Sequence, residues 1–181
     1  MKGPILHGKR ILLRPPLLSD AKQFVQWFKD KEVVKYLSVQ RLLKDLAVER
    51  KWISTQIKSP DNILFTIINE TGQIIGNTIL RLNKLSKVGS LGIVIGAKEQ
   101  WGKKYAGETI ELLANYLFKK LRYNRFELMV AAENHRARRV YEKVGFITEG
   151  VKRQVRWNLI TKKFEDEVVM SILKKEWLNK K

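Results

Sequence analysis

Residues Gln100 to Gly107, Gln-Trp-Gly-Lys-Lys-Tyr-Ala-Gly, place two glycines and two lysines between an apolar run and a helical pattern. The run before them, Leu91 to Ile95, is too short and too β-branched for a helix and reads as a strand. After them Ile110, Leu113, Leu117 and Leu121 recur at i, i+3, i+7 and i+11, the buried stripe of one helix. A strand that feeds a glycine turn at a helix N-terminus leaves backbone N–H groups unpaired, with the positive end of the helix dipole behind them. Such a turn binds phosphate. Trp101, Gly102, Lys103, Lys104, Tyr105, Ala106 and Gly107 are therefore candidates to hold a phosphorylated ligand, with the Lys103 and Lys104 ammonium groups able to meet phosphate oxygens directly. An ordinary strand-to-helix turn with two solvated lysines is the competing reading.

The elements that must position this turn are legible on both sides of it. Ile11 to Arg14 reads as a first strand stopped by Pro15-Pro16. Ser19 is a suitable N-cap for a helix to about Asp30, with Phe24, Trp27 and Phe28 on one face. A second helical region covers Leu42 to Ile57 and breaks at Pro60. A hairpin follows, Ile63 to Ile68 and Ile74 to Leu82, turning at Glu70-Thr71-Gly72. Beyond the central helix, Arg125 to Val130 is a fifth strand. Asn134 opens a short helix, Ala137 to Val144, ended by Gly145. Phe146 to Lys152 and Glu167 to Leu173 read as two last strands, joined by an arm from Arg153 to Asp166. The order predicts an α/β (α+β) chain: one domain over 1–181, with a mixed, mostly antiparallel sheet of about seven strands and about four flanking helices.

Composition narrows the chemistry. The chain has 181 residues, 44% of them hydrophobic, enough for a core. It has no cysteine, which excludes disulfides, thiolate nucleophiles and cysteine–metal sites. His7 and His135 lie far apart in sequence, so no metal site is expected. No run approaches the roughly 20 apolar residues that span a bilayer, and the N-terminus lacks the apolar core of a signal peptide. A cytoplasmic protein without membrane contact, monomeric or homodimeric, is the expectation. The formal charge of +18 attracts polyanions such as RNA, ribosomes or a phosphorylated cofactor. Its basic residues are spread along the chain, as on a solvated surface.

Two segments resemble the GCN5-related N-acetyltransferase (GNAT) superfamily. Trp101 to Ala106, WGKKYA, is similar to that family's acetyl-CoA loop, and Glu133 to Phe146, ENHRARRVYEKVGF, to its Asn-(six residues)-Tyr-Glu-Lys-(any)-Gly-Phe segment. Family members usually carry glycine where Lys104 stands, and glutamine or arginine where Trp101 stands; Lys104 fits the loop only if its φ stays negative. The N-terminal Leu-Leu-Arg-Pro, Glu149-Gly150 and Glu176-Trp177 further suggest the RimJ/RimL-like branch of ribosomal-protein N-terminal acetyltransferases.

The resemblance implies acetyl-CoA as cosubstrate and a primary amine as acceptor, with direct transfer in a ternary complex. Backbone groups of Ile93, Val94 and Ile95 would pair with the pantetheine arm, on a strand that in the family carries a bulge; Gly89, Gly92 and Gly96 permit one. Asn134 is either a helix cap or a pantetheine partner. Tyr141 stands in the family's proton-donor position, and Arg138 and Arg139 are candidates for the 3′-phosphate. No general base is assigned: many relatives have a carboxylate where Ser90 stands, and Glu127 lies on the fifth strand. Glu149 and Glu32 are candidates to contact a cationic acceptor. A protein N-terminal amine leads, with ribosome or RNA proximity through the basic surface. Polyamine acetylation is the enzymatic rival, and a non-catalytic RNA- or ribosome-binding module the non-enzymatic one.

Overall fold

The computed structural model of the chain describes residues 3–37 and 45–180. It begins with a small hairpin, β1 (Leu6–His7) and β2 (Ile11–Arg14), closed by the Gly8 N–H on the Ile11 carbonyl at 2.8 Å. A short 3₁₀ turn then leads into α1 (Ala21–Lys29), whose Phe24, Trp27 and Phe28 are buried. Ser19 is not the cap. It lies within the turn, and the neighbouring Asp20 carboxylate instead accepts the Leu17 N–H (2.9 Å), the Thr66 hydroxyl (2.7 Å) and both Arg14 amino groups (2.7 and 2.9 Å). Burial raises the Asp20 pKa, but these hydrogen bonds outweigh it and leave the group below its ordinary value.

Asp30 caps α2 (Lys31–Val34) and Asp45 caps α3 (Leu46–Lys58) through their side chains. Of the expected Leu42–Ile57 helix, residues 42–44 lie outside the described residues. The strands β3 (Asn62–Asn69), β4 (Ile74–Asn83) and β5 (Val88–Ile95) follow. Then come α4 (Tyr105–Asn115), extended by a π-helical turn over Tyr116–Lys120, and β6 (Arg125–Ala131). The chain ends with α5 (His135–Val144), β7 (Ile147–Asn158), β8 (Lys163–Leu173) and α6 (Lys174–Leu178).

The eight strands form one sheet in the order β1-β2-β3-β4-β5-β6-β8-β7. Every neighbouring pair is antiparallel except β5 with β6. The count exceeds seven because Leu6–His7 pairs with β2; the short helices α2 and α6 add to the expected four. The arm between the last two strands is itself strand. Trp157 on β7 stands opposite Phe164 on β8, their rings edge to face at 4.9 Å, and a sheet carries such a pair better than a loop does.

The parallel pair sets up the site. Its ladder holds only from Val88, Gly89 and Ser90 to Arg125, Phe126 and Glu127, after which the strands diverge. The expected bulge on β5 is not there: its register with β4 runs unbroken from Gly76 opposite Ile95 to Asn83 opposite Val88. The sheet opens because β6 turns away to pair with β8, not because β5 distorts. Leu117, in the π-helical turn after α4, packs within 2.8 Å of where a Gly89 side chain would start, and Phe118 meets Phe126 edge to face. That face of the sheet carries α4, α5 and α6. The alternating face carries Thr66, bonded to Asp20, and lies under α1 and α3. Fully burying Phe65, Phe118 and Phe126 contributes about 2 kcal/mol each. Among the described residues, no helix is long and apolar enough to cross a membrane.

Candidate active site

Divergence of β5 from β6 opens a cleft of about 1660 Å³, whose walls include β5, β6, the start of α4 and the first turns of α5. Strand geometry decides which backbone groups face it. The Gly96 N–H donates to the Ile75 carbonyl at 2.9 Å, so the even-numbered residues of β5 bond to β4. The Ile93 and Ile95 peptide groups thus point to the open side. Val94 does not: its carbonyl points at Gly76 of β4, so the backbone role expected of it is not open to it. The Ile95 carbonyl is already taken, by the Trp101 indole N–H at 2.7 Å.

The 100–107 turn has the form of a nest. Gly102 (φ +83°) and Lys104 (φ +68°) are both left-handed. The condition that Lys104 keep a negative φ is therefore not met. The helix enters through a left-handed N-cap, where a lysine costs about 1 kcal/mol relative to glycine. Arg10 braces the strained turn. Its guanidinium donates to the Lys103 carbonyl (3.1 Å) and to Glu108 (3.2 Å), its backbone N–H to Glu108 (2.6 Å), and it lies 4.9 Å from the centre of the Tyr105 ring. The Tyr105 hydroxyl donates to Glu70 at 2.9 Å. No side chain caps α4, and the Tyr105, Ala106 and Gly107 N–H groups have no acceptor among the described residues. Three free amides at the positive end of an eleven-residue helix fit a diphosphate.

On the other wall, the Asn134 side chain accepts the Ala137 N–H at 3.2 Å, which makes it the α5 cap; it also lines the cleft. Tyr141, on the same helix, lines the cleft at 9% exposure, and no hydrogen bond engages its hydroxyl among the described residues. Burial raises its pKa to about 12. Arg138 and Arg139 do not line the cleft. Arg138 reaches toward the Ala132 carbonyl at 3.4 Å, and Arg139 is exposed on α5. Arg136 does line the cleft: its guanidinium lies 3.9 Å from the Trp101 ring centre, bridging α5 to the nest. Lys103 points away to Gln100 at 3.0 Å, while Lys104 lines the cleft.

Where the strands part, the Ser90 hydroxyl donates to Glu127 (3.1 Å), as does the Arg125 Nε (2.8 Å). Arg125 also clamps Glu149, with Ser171 bonded to both. The guanidinium and the Ser171 hydroxyl hold Glu149 down to about 2. Glu149 and Glu32, the candidates for a cationic acceptor, are both engaged within the chain, Glu32 by Lys98 at 2.9 Å.

Residue choice alone could not find Arg10, whose partner Glu108 is 98 residues away. Arg136 was within reach, since it stands two residues after Asn134 in the motif.

The family model for the Acetyltransferase (GNAT) domain matches residues 10–147. The chain is 29% identical over 181 residues to the uncharacterized N-acetyltransferase p20 of Bacillus licheniformis, covering 95% of this chain and 97% of that protein. It is 31% identical over 102 residues to the spermidine N(1)-acetyltransferase of Vibrio cholerae serotype O1, covering 56% of this chain and 57% of that one. The crystal structure of a spermidine N-acetyltransferase from Vibrio cholerae, in complex with CoA and spermine, shares the fold. Its TM-score is 0.85 at 23% identity, over 93% of this chain and 98% of that one.

Proposed function

The chain belongs to the GNAT acetyltransferases, and on that premise we propose that its acceptor is the α-amine at a peptide N-terminus, of the ribosomal-protein type, acetylated directly in the cytoplasm. Its activity is that of an acetyl-CoA-dependent N-acetyltransferase. That membership sets aside the non-catalytic alternative.

The observation that carries the acceptor reading is the pairing of carboxylates. On the α1 and α3 side, Glu32, Glu127 and Glu167 line the cleft, and each already faces a cation of the chain: Lys98 at 2.9 Å, Arg125 at 2.8 Å and Arg156 at 3.7 Å. A polyamine would have to displace these partners to find an anion, against a +18 field. A peptide amine carries one charge and needs no such row of anions. The groove it would enter lies between α2 and the β7–β8 hairpin, which Arg156 and Asn158 tie to the Leu37 and Lys35 carbonyls at 3.1 Å each. A Bacillus subtilis (strain 168) protein provisionally described as a ribosomal N-acetyltransferase is 32% identical over 100 residues. Polyamine acetylation stays as the second reading, supported by the spermidine acetyltransferase relative and by the spermine-bound neighbour.

Acetyl-CoA supplies an activated thioester. The amides of Tyr105, Ala106 and Gly107 hold its diphosphate, and the Ile93 peptide groups, with the Ile95 N–H, pair with its pantetheine amides. The amine attacks from the face under α1 and α3, which the nest leaves clear. As the carbon–nitrogen bond forms and the carbon–sulfur bond breaks, the Tyr141 hydroxyl donates its proton to the sulfur, and the proton that the attacking nitrogen sheds restores the phenol. Burial keeps that phenol protonated and raises the pKa of a departing thiol in the same surroundings, so the two stay within reach of each other.

The test is thiol release from acetyl-CoA over a panel of N-terminal peptides and spermidine at equal ionic strength. The reading expects kcat/KM for the best peptide to exceed that for spermidine by at least about tenfold. Preference for spermidine would overturn it.

A further inference from the structure

Charges on the α1 and α3 side of the cleft are unequally satisfied. Its carboxylates are paired, as described, but Arg81 of β4 is not. It is exposed, it lines the cleft, and it has no acidic, hydrogen-bonding or aromatic partner among the described residues. The nearby acids are committed elsewhere: Asp61 to Lys84 at 3.0 Å, and Glu127 to Arg125 and Ser90. Residues 38–44, SVQRLLK, hold no acid at all. Of the other cations on this side, Lys152 stands directly across the β7–β8 ladder from Glu167 and Lys35 lies 5.1 Å from the centre of the Tyr36 ring, so Arg81 is the least compensated of the three.

The backbone makes room for that guanidinium. Arg81 stands opposite Ser90, and its head leans over Gly92: a side-chain carbon at Gly92 would lie 3.4 Å from Nη1 and 3.9 Å from Nη2. With hydrogen there instead, the planar fork has room to lie over the sheet beside the cleft that Arg81 lines. That fork matches a carboxylate, two parallel N–H···O bonds at a time. Gly92 is one to three residues from Ile93 and Ile95, where the pantetheine would pair, which is roughly 3–10 Å along a strand.

We infer that Arg81 binds a carboxylate of the acceptor, lying within about 10 Å of the amine that is acetylated. On an extended peptide that reach places the acid at the second or third residue. The inference rests on the peptide-amine reading and deepens it: the favoured substrate is an acidic N-terminus.

The experiment compares tetrapeptide amides that differ only in Glu or Gln at the second or third position, with the wild-type chain and with Arg81→Gln. In the wild type, kcat/KM for the better Glu peptide should exceed that for its Gln partner by about ten- to a hundredfold, mostly through KM. In Arg81→Gln the ratio should fall to within about twofold, and in Arg81→Glu a Lys-bearing peptide should overtake the Glu one. If Arg81→Gln does not fold, Arg81→Lys is read instead, with an intermediate ratio expected from a charge without the fork. A wild-type ratio near one, or a ratio that survives Arg81→Gln, overturns the inference. Acetylation of the peptides without preference removes the role of Arg81 and leaves the N-terminal reading standing; acetylation of spermidine but of no peptide removes both.

Discussion

Lys104 stands left-handed where the fold wants glycine, and the turn holds because Arg10 ties the Lys103 carbonyl and Glu108 to the N-terminal hairpin. Replacing Lys104 with Gly should raise stability by up to about 1 kcal/mol, whereas Gly102→Ala, at φ +83°, should lower it by about as much. Urea melts of the two variants read the difference directly. Glu149 makes a second prediction at this scale. Its folded pKa of about 2 lies below the ordinary value near 4.3, so its stabilisation is complete above about pH 5 and is lost as pH falls toward 2. With its side chain 41% exposed, the contribution is on the order of 1 kcal/mol. Glu149→Gln should be less stable than wild type at pH 7, with the two melting curves converging by about pH 2. A gap independent of pH would contradict the assignment. Some residues were legible in advance because their chemistry is local: Tyr141 and Asn134 sit in one short motif. Val94 was not, since which peptide groups of a strand face outward depends on the phase of its pairing with β4.

Elements were easier to read than their ends. The strand–turn–helix unit around the nest was plain from periodicity and glycine placement, because apolar spacing reports the buried face whatever the tertiary partner. From its residues the Arg153–Asp166 arm reads as a connection, and in the structure it is mostly ladder. Its strand character comes from cross-strand partners such as Trp157 and Phe164, which no local window contains. The bulge expected of β5 was likewise replaced by divergence of a whole strand, and that depends on β8 claiming β6. Gly96, just beyond β5, illustrates the same dependence. A methyl there would fall inside the Trp27 indole, which is buried and stacked on Phe24 at 5.6 Å. Gly96→Ala should cost about 1–3 kcal/mol by overpacking. An unchanged thermal midpoint would show that Trp27 of α1 does not pack against Gly96 as closely as the structure places it.

The whole molecule combines a field of +18 with a cleft whose carboxylates on the α1 and α3 side are each paired with a cation of the chain. Net charge was readable from composition, and its meaning was not, because pairing is a property of the folded surface. A basic exterior attracts polyanions in general, and on the proposed reading the interior of the cleft sorts acceptors by charge. At the centre of the proposed mechanism is one event, the transfer of an acetyl group beside a buried phenol. Tyr141→Phe, assayed at saturating acetyl-CoA and acceptor alongside calorimetric titration of acetyl-CoA, tests that event most directly. The expected result is an acetyl-CoA Kd within about threefold of wild type and a kcat lower by about a hundredfold or more. Unchanged turnover at unchanged affinity would contradict it.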